Sequence, residues 1–491
     1  MRGWEWRPTL EPSDHEPLFE QIARSIAGDI RRGRLKPGER LPSSRKIAEA
    51  LGVHRNTALS AYGELEAQGW IEARPSSGTY VSSALPVIKP KSFASPALDR
   101  GAMPERPCFA LKEIEAPMIS APVGRGELSM AGGLPDLRLI PTEELARAWR
   151  RAVRRGGGEL MGYADPQGHP RLRAALAQML STTRGVAASP EHIMVTRGSQ
   201  MALYLTAHAL LDPGDRVAIE AHGYPAAWTA LRSAGATLVP VPVDGRGLDV
   251  EALAAVVREG PIKAVYVTPH HQYPTMAVLD AGRRLELLAL ARAEGFAIIE
   301  DDYDNEFHYE GRPVLPLASA DRHGAVIYIG TLSKVLAPAL RVGYAVAPAP
   351  VIAALGALRA TIDRQGDQAT EAALAELIED DAIQRHARRI RRIYRARRER
   401  LAQELREHLP DVLDFQIPSG GLSLWAACAP EVDPERWAER AASQGVLFWP
   451  ARRYDFQQRP LPFVRLGFAA LDEDEIRRAV QIMKRALPCN P

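Results

Sequence analysis

The first regular pattern in the chain is Leu18, Ile22, Ile26 and Ile30, apolar residues four apart that stack on one helical face ending near Gly33. Pro37-Gly38 turns the chain. Ser43 is placed to cap a short helix through Ile47, Ala48 and Leu51, and Gly52 to break it. A second helix beginning at His54 or Arg55 is expected to bury Leu59, Tyr62 and Leu65 before Gly69 ends it. Trp70-Ile71 and Thr79-Tyr80-Val81 then read as strands around the turn-forming run Pro75-Ser76-Ser77-Gly78, a small β-wing.

This dense pattern stops near Val81. Pro86, Pro90, Pro96, Pro104, Pro107, Pro117 and Pro122 follow with little periodicity, as in a semi-rigid linker. From Leu128 onward, strand-like runs at 192–196, 217–220, 264–268, 297–301 and 326–329 alternate with helical segments, the signature of an α/β sheet. The expected organisation is a small helical domain with a β-wing over 15–83, a Pro-rich linker over 84–127 and an α/β domain over 128–491 with a mainly parallel central sheet.

Composition alters this picture little. The 491 residues exceed what one hydrophobic core organises, so two or more units are expected. With 62 basic and 60 acidic side chains the net charge is +2, and any nucleic-acid surface must come from local arrangement. Cys108, Cys428 and Cys489 make no metal-ligand spacing and fit a reducing compartment. No apolar stretch is long enough to span a bilayer, so a cytoplasmic protein without membrane contact is expected.

Leu41-Pro42-Ser43-Ser44-Arg45-Lys46 and Leu51-Gly52-Val53-His54-Arg55-Asn56-Thr57 place cations and hydroxyls at the starts of two consecutive helices. Free amides and the positive dipole end attract phosphates there, while side chains of the second helix reach base edges in a major groove. The Pro-Ser-x-Arg start, Gly-Val-x-Arg-x-Thr recognition start, Ala-Tyr-x-x-Leu and Gly-Thr-Tyr-Val wing resemble the GntR-type winged helix-turn-helix. That resemblance implies double-stranded DNA as partner, contacted by Arg45, His54, Arg55, Asn56, Thr57 and Gly78.

In the larger domain, Ile329-Gly330-Thr331-Leu332-Ser333-Lys334 ends a strand with a lysine suited to a Schiff base and hydroxyls suited to a phosphate. Ile298-Ile299-Glu300-Asp301-Asp302-Tyr303 ends another strand, where a buried carboxylate can pair with a protonated pyridine nitrogen. Gly198-Ser199-Gln200 opens a helix whose amides suit phosphate, and Tyr224 suits stacking on a planar ring.

In this order and setting the residues resemble fold-type I aminotransferases, and the whole chain resembles the MocR/GabR subfamily of GntR regulators. The resemblance implies pyridoxal 5'-phosphate (PLP), with Lys334 as its Schiff-base lysine, Asp301 facing the ring nitrogen and Tyr303 and Tyr273 near the ring hydroxyl. It assigns Thr331, Ser333, Arg341 and the Gly198-Ser199-Gln200 turn to the phosphate, and Tyr224 to the ring face. Tyr163 matches the position that reaches the partner's phosphate site, which implies a homodimer. Arg465 matches the arginine that receives an amino-acid carboxylate. Met276 replaces the glycine usual in aminotransferases, Tyr273 stands where those enzymes have asparagine, and Ala226 takes the place of a second effector arginine in GabR.

Glu300, Asp301, Asp302, Asp304 and Glu306 are expected to scatter rather than ligate a metal, and His270-His271 to lack a third ligand. No metal is expected. The leading expectation is a PLP-dependent DNA-binding transcription regulator whose aminotransferase-like domain senses an amine, an amino acid or PLP itself. Its rival is an active PLP-dependent aminotransferase carrying a DNA-binding module.

Overall fold

A computed structural model describes residues 17–85, 106–111, 126–311 and 314–487. The chain divides into two compact units, Met1–Lys112 and Glu113–Pro491. Most of the expected linker, 84–127, lies outside the described residues.

The first unit contains helices Leu18–Arg31, Ser44–Leu51 and Arg55–Ala67, followed by the antiparallel hairpin Ile71–Arg74 and Gly78–Val81. Ile22, Ile26 and Ile30 are buried as their spacing predicts, whereas Leu18 at the helix start is exposed. Ser43 caps the second helix by accepting the Lys46 amide, and Gly52 ends it at φ +66°, a left-handed conformation that costs glycine little. The third helix departs from expectation. Tyr62 and Leu65 are buried, but Leu59 is 45% exposed, and the interior face is completed by Ala58 and Ala61. The small alanines let this helix approach its neighbours closely, and the larger leucine falls on the outer face.

The second unit is built on a seven-stranded sheet in the order Ile193–Thr196, Gly343–Val346, Val326–Thr331, Ala297–Asp302, Ala264–Val267, Arg216–Glu220, Thr237–Val241. Only Gly343–Val346 runs antiparallel to its neighbours. The central strands are buried along their length, which explains their continuous apolar character in the sequence. Because the parallel strands share one direction, the residues after their carboxyl ends gather along one edge. A second, antiparallel sheet comprises Leu413–Phe415, Ser423–Cys428, Phe463–Gly467 and Trp449–Pro450, with the 27-residue helix Ala382–His408 in the same unit. Among the described residues no helix is long and apolar enough to cross a membrane.

Candidate functional site

In the first unit Arg45, His54, Arg55 and Asn56 are exposed at two helix starts, and Thr57 is half-buried. His54 also has a structural role, because its Nδ1 accepts the Asn56 amide at 3.2 Å and caps the third helix. Gly78 lies on the wing, and a methyl there would sit 3.0 Å from Nε of Arg40. Arg40, which forms a bridge with Tyr80, therefore accompanies the wing as an exposed cation that the helix-start pattern did not single out.

In the second unit a cavity of about 380 Å³ lies where the parallel strands end. It gathers Ser199, Gln200, Tyr224, Tyr273, Asp301, Tyr303, Thr331, Ser333, Lys334 and Arg341 from segments separated by up to 142 positions in the chain. Burial, then the neighbouring Arg465, pushes the Lys334 amine down to about 8, against the pull of Asp304 and Asp301. A lysine so placed gives up its proton far more readily than an exposed one and supplies a neutral nucleophile from about pH 8 upward. Asp301 is buried, and this pushes its carboxyl up to about 7, partly offset by the Tyr266 hydroxyl, which donates to Oδ2 at 2.8 Å. Its Oδ1 has no hydrogen-bond partner among the described residues.

Gly198 opens the helix Gly198–Leu210 at φ +74°, and a Cβ there would lie 2.7 Å from the Arg341 guanidinium. Glycine thus lets the cation settle against the helix start. Thr331 accepts the Ser333 amide at 3.1 Å, while the buried Ser333 hydroxyl has no partner among the described residues. Tyr303 lines the cavity but its hydroxyl donates to the His271 carbonyl at 3.0 Å, leaving it lone pairs with which to accept. Tyr224 and Tyr273 meet edge to face at 5.4 Å.

Two predicted residues lie elsewhere. Tyr163 is 83% exposed beneath the Arg364 guanidinium and does not line the cavity. Arg465 is fully buried beside it, 4.3 Å over the Tyr273 ring, and none of its three nitrogens has a hydrogen bond of ordinary geometry among the described residues. Gly132 covers it so closely that a methyl would overlap the guanidinium.

The acidic cluster separates as expected. Glu300 accepts the Leu317 and Ala318 amides, Asp302 accepts the Tyr328 hydroxyl, Asp304 bonds His271 at 2.8 Å and Glu306 pairs with Arg184. The expectation for the histidines needs correction: His308 joins His270 and His271, with ring nitrogens within 4.8 Å of one another. Thirty-seven positions of separation from His271 hid that neighbour until the fold was known. Tyr266, Trp449, Arg453, Tyr454 and the Gly132-Gly133 pair also line the cavity without having been foreseen. Tyr266 sits inside an apolar strand and is marked only by its register with Ile299, which sets it beside the face carrying Asp301.

Residues 134–483 match the model of aminotransferase class I and II, and residues 18–81 that of bacterial regulatory proteins of the gntR family. The chain is 33% identical to the probable rhizopine catabolism regulatory protein MocR of Rhizobium meliloti, over 96% of this chain and 94% of that one. It is also 33% identical to the HTH-type transcriptional regulator TauR of Rhodobacter capsulatus, over 97% and 98%. The chain belongs to the MocR-type GntR regulators. As in other MocR-type chains, a GntR helix-turn-helix and an aminotransferase fold occur together, the architecture of a DNA-binding transcription regulator. Among solved structures, the multiple substrate aminotransferase of Thermococcus profundus superposes with a TM-score of 0.69 at 29% identity, covering 74% of this chain and 91% of that one.

The cavity fits PLP on its own chemistry. It offers a depressed amine, a buried carboxylate oxygen and a buried hydroxyl that have no partner among the described residues, a guanidinium at a helix start, and tyrosine rings.

Proposed function

We propose that this MocR-type regulator binds PLP in the cavity and senses a primary amine or amino acid there, altering operator binding by its winged helix. The carrying observation is the unpaired Oδ1 of buried Asp301 in the same cavity as the depressed Lys334 amine. In this reading PLP supplies an aldehyde that condenses reversibly with primary amines. Lys334 holds the nucleophilic nitrogen, and Asp301, oriented by Tyr266, would hold a proton at the ring nitrogen. Ser199, Gln200, Thr331, Ser333 and Arg341 bind phosphate around the start of the Gly198 helix, Tyr224 orients the ring, and Tyr273 and Tyr303 flank it. Arg465 receives the effector carboxylate.

The reading divides the chain into a DNA-binding domain over 15–83, a linker over 84–127 and an effector domain over 128–491. Tyr163, exposed on one protomer, is assigned to the partner's phosphate in a homodimer. Arg45, His54, Arg55, Asn56, Thr57 and Gly78 are assigned to DNA, with no membrane partner, and the protein acts in the cytoplasm. An effector shifts the balance only through different affinities for two arrangements of the dimer.

The test is a spectral titration of the purified holoprotein with amines and amino acids, run beside operator-binding measurements. A cofactor band that moves together with operator affinity supports the reading, and a band that moves without any change in operator affinity refutes it. Retention of Lys334, Asp301 and Arg465 favours aminotransferase chemistry as the second reading. Multiple turnovers with an amino-acid and keto-acid pair would establish it, whereas at most a slow half-reaction fits a sensor.

A further inference from the structure

The cationic groups in and beside the cavity are not all accounted for by PLP and one carboxylate. Lys334 has the amine role, Arg341 stands at the helix start with the hydroxyls, and Arg465 lies beneath Gly132. Arg453 lines the same cavity and has no such role. Its guanidinium lies 4.0 Å over the Trp449 ring and 5.7 Å over that of Tyr454, and it has no carboxylate partner among the described residues. Its neighbour Arg452 differs, with Nε donating to the Gln458 carbonyl at 3.1 Å.

Position is fixed by the small sheet. Trp449 and Arg465 are directly opposed across the antiparallel pair, so their side chains leave the same face, and the turn Ala451–Tyr454 then returns Arg453 over Trp449. The two guanidinium groups thus rest on one aromatic cluster, the buried Arg465 over Tyr273 and the half-buried Arg453 over Trp449 and Tyr454, with Tyr273 and Tyr454 in edge contact at 5.4 Å. A cation resting on an aromatic face without an anion retains its full hydrogen-bonding fork.

We infer that Arg453 receives a second anionic group on the effector, so that the ligand class is an acidic amino acid with carboxylates at both ends. This rests on the reading of the cavity as an amino-acid sensor and narrows it. The amino group goes to the Lys334 end, one carboxylate to Arg465 and the side-chain acid to Arg453. Ala226, also in the wall, offers no competing charge.

The experiment uses the full-length holoprotein in two arms. In the first, the cofactor band is titrated with L-glutamate against L-glutamine and L-aspartate against L-asparagine, pairs that differ in charge and scarcely in shape. In the second, calorimetry measures the amine-free acids glutarate and succinate against their monoamides. In both arms at least one acid is expected to bind about tenfold or more tightly than its amide, the scale of a charge-assisted hydrogen bond. Arg453→Gln should abolish that ratio while leaving cofactor occupancy and affinity for the amides as they were, and Arg453→Lys should keep part of it. Acids that bind no better than amides in both arms, or an unchanged ratio in Arg453→Gln, would overturn the inference. An Arg453-dependent preference in calorimetry with a band that never moves would refute amine sensing and leave the anion site standing.

Discussion

Replacing Lys334 by methionine removes the cavity's amine while keeping its length and apolar stem, and the structure sets the sign of the consequence. Burial and Arg465 hold the amine near 8 instead of 10.5, so the folded protein without cofactor resists protonating it. Below about pH 8 both folded and unfolded states carry the proton, and the folded state bears the whole penalty. Between about 8 and 10.5 the unfolded state binds more protons, so stability rises with pH, and above that range the penalty is gone. A displacement of about 2.5 pH units at roughly 1.4 kcal/mol each corresponds to ~3.5 kcal/mol. For a unit of about 350 residues this is about 5 °C in melting temperature, from roughly 2 cal/mol/K of unfolding entropy per residue.

The assay is calorimetric melting of the C-terminal transition in cofactor-free protein at several pH values from 7 to 10.5. Lys334→Met should melt higher than the parent at pH 7, with the gap closing as the pH approaches 10.5. Asp301 titrates in both proteins, so the difference isolates the amine and its coupling to the neighbouring carboxylates. A variant that melts lower at pH 7, or a gap constant across the range, would refute the assignment of Lys334 as a buried, destabilised amine.

Other perturbations separate roles that share residues. Asp301→Asn keeps the Tyr266 contact but loses the charge for the ring nitrogen; PLP affinity should fall about 10–100-fold in equilibrium dialysis, the scale of a lost charged hydrogen bond. His54→Ala should lower the stability of the N-terminal unit by about 1 kcal/mol through loss of the helix cap, while His54→Asn restores the cap and leaves only an effect on DNA affinity. Arg55→Ala should cost about 1–3 kcal/mol in operator binding and relax preference at the contacted base pair if it reads a base edge; unchanged affinity in a gel-shift titration would contradict this. Gly132→Ala should displace the Arg465 guanidinium and weaken amino-acid binding without loss of PLP, readable as a higher half-saturation in the spectral titration.

Much of this molecule was written locally. The Ser43 cap, the Gly52 stop and the Ile22-Ile26-Ile30 face depend on residues a turn or two apart, and local spacing suffices to place them. Lys334, Asp301 and Gly198 were legible because each ends a strand or opens a helix, and parallel strands carry their carboxyl ends to one edge. Tertiary packing decided the rest. Whether Leu59 or Ala61 faces inward depended on how closely neighbouring helices approach, and Tyr266 acquired its bond to Asp301 through strand register. His308 reached His270 and His271, and Gly132 covered Arg465, through contacts between segments distant in the chain. Arg453 is one of two adjacent arginines that the sequence does not distinguish; the turn at Ala451–Tyr454 directed one to a backbone carbonyl and the other into the cavity. Local chemistry named most of the groups proposed to hold a cofactor, and only long-range packing set which charges line the cavity.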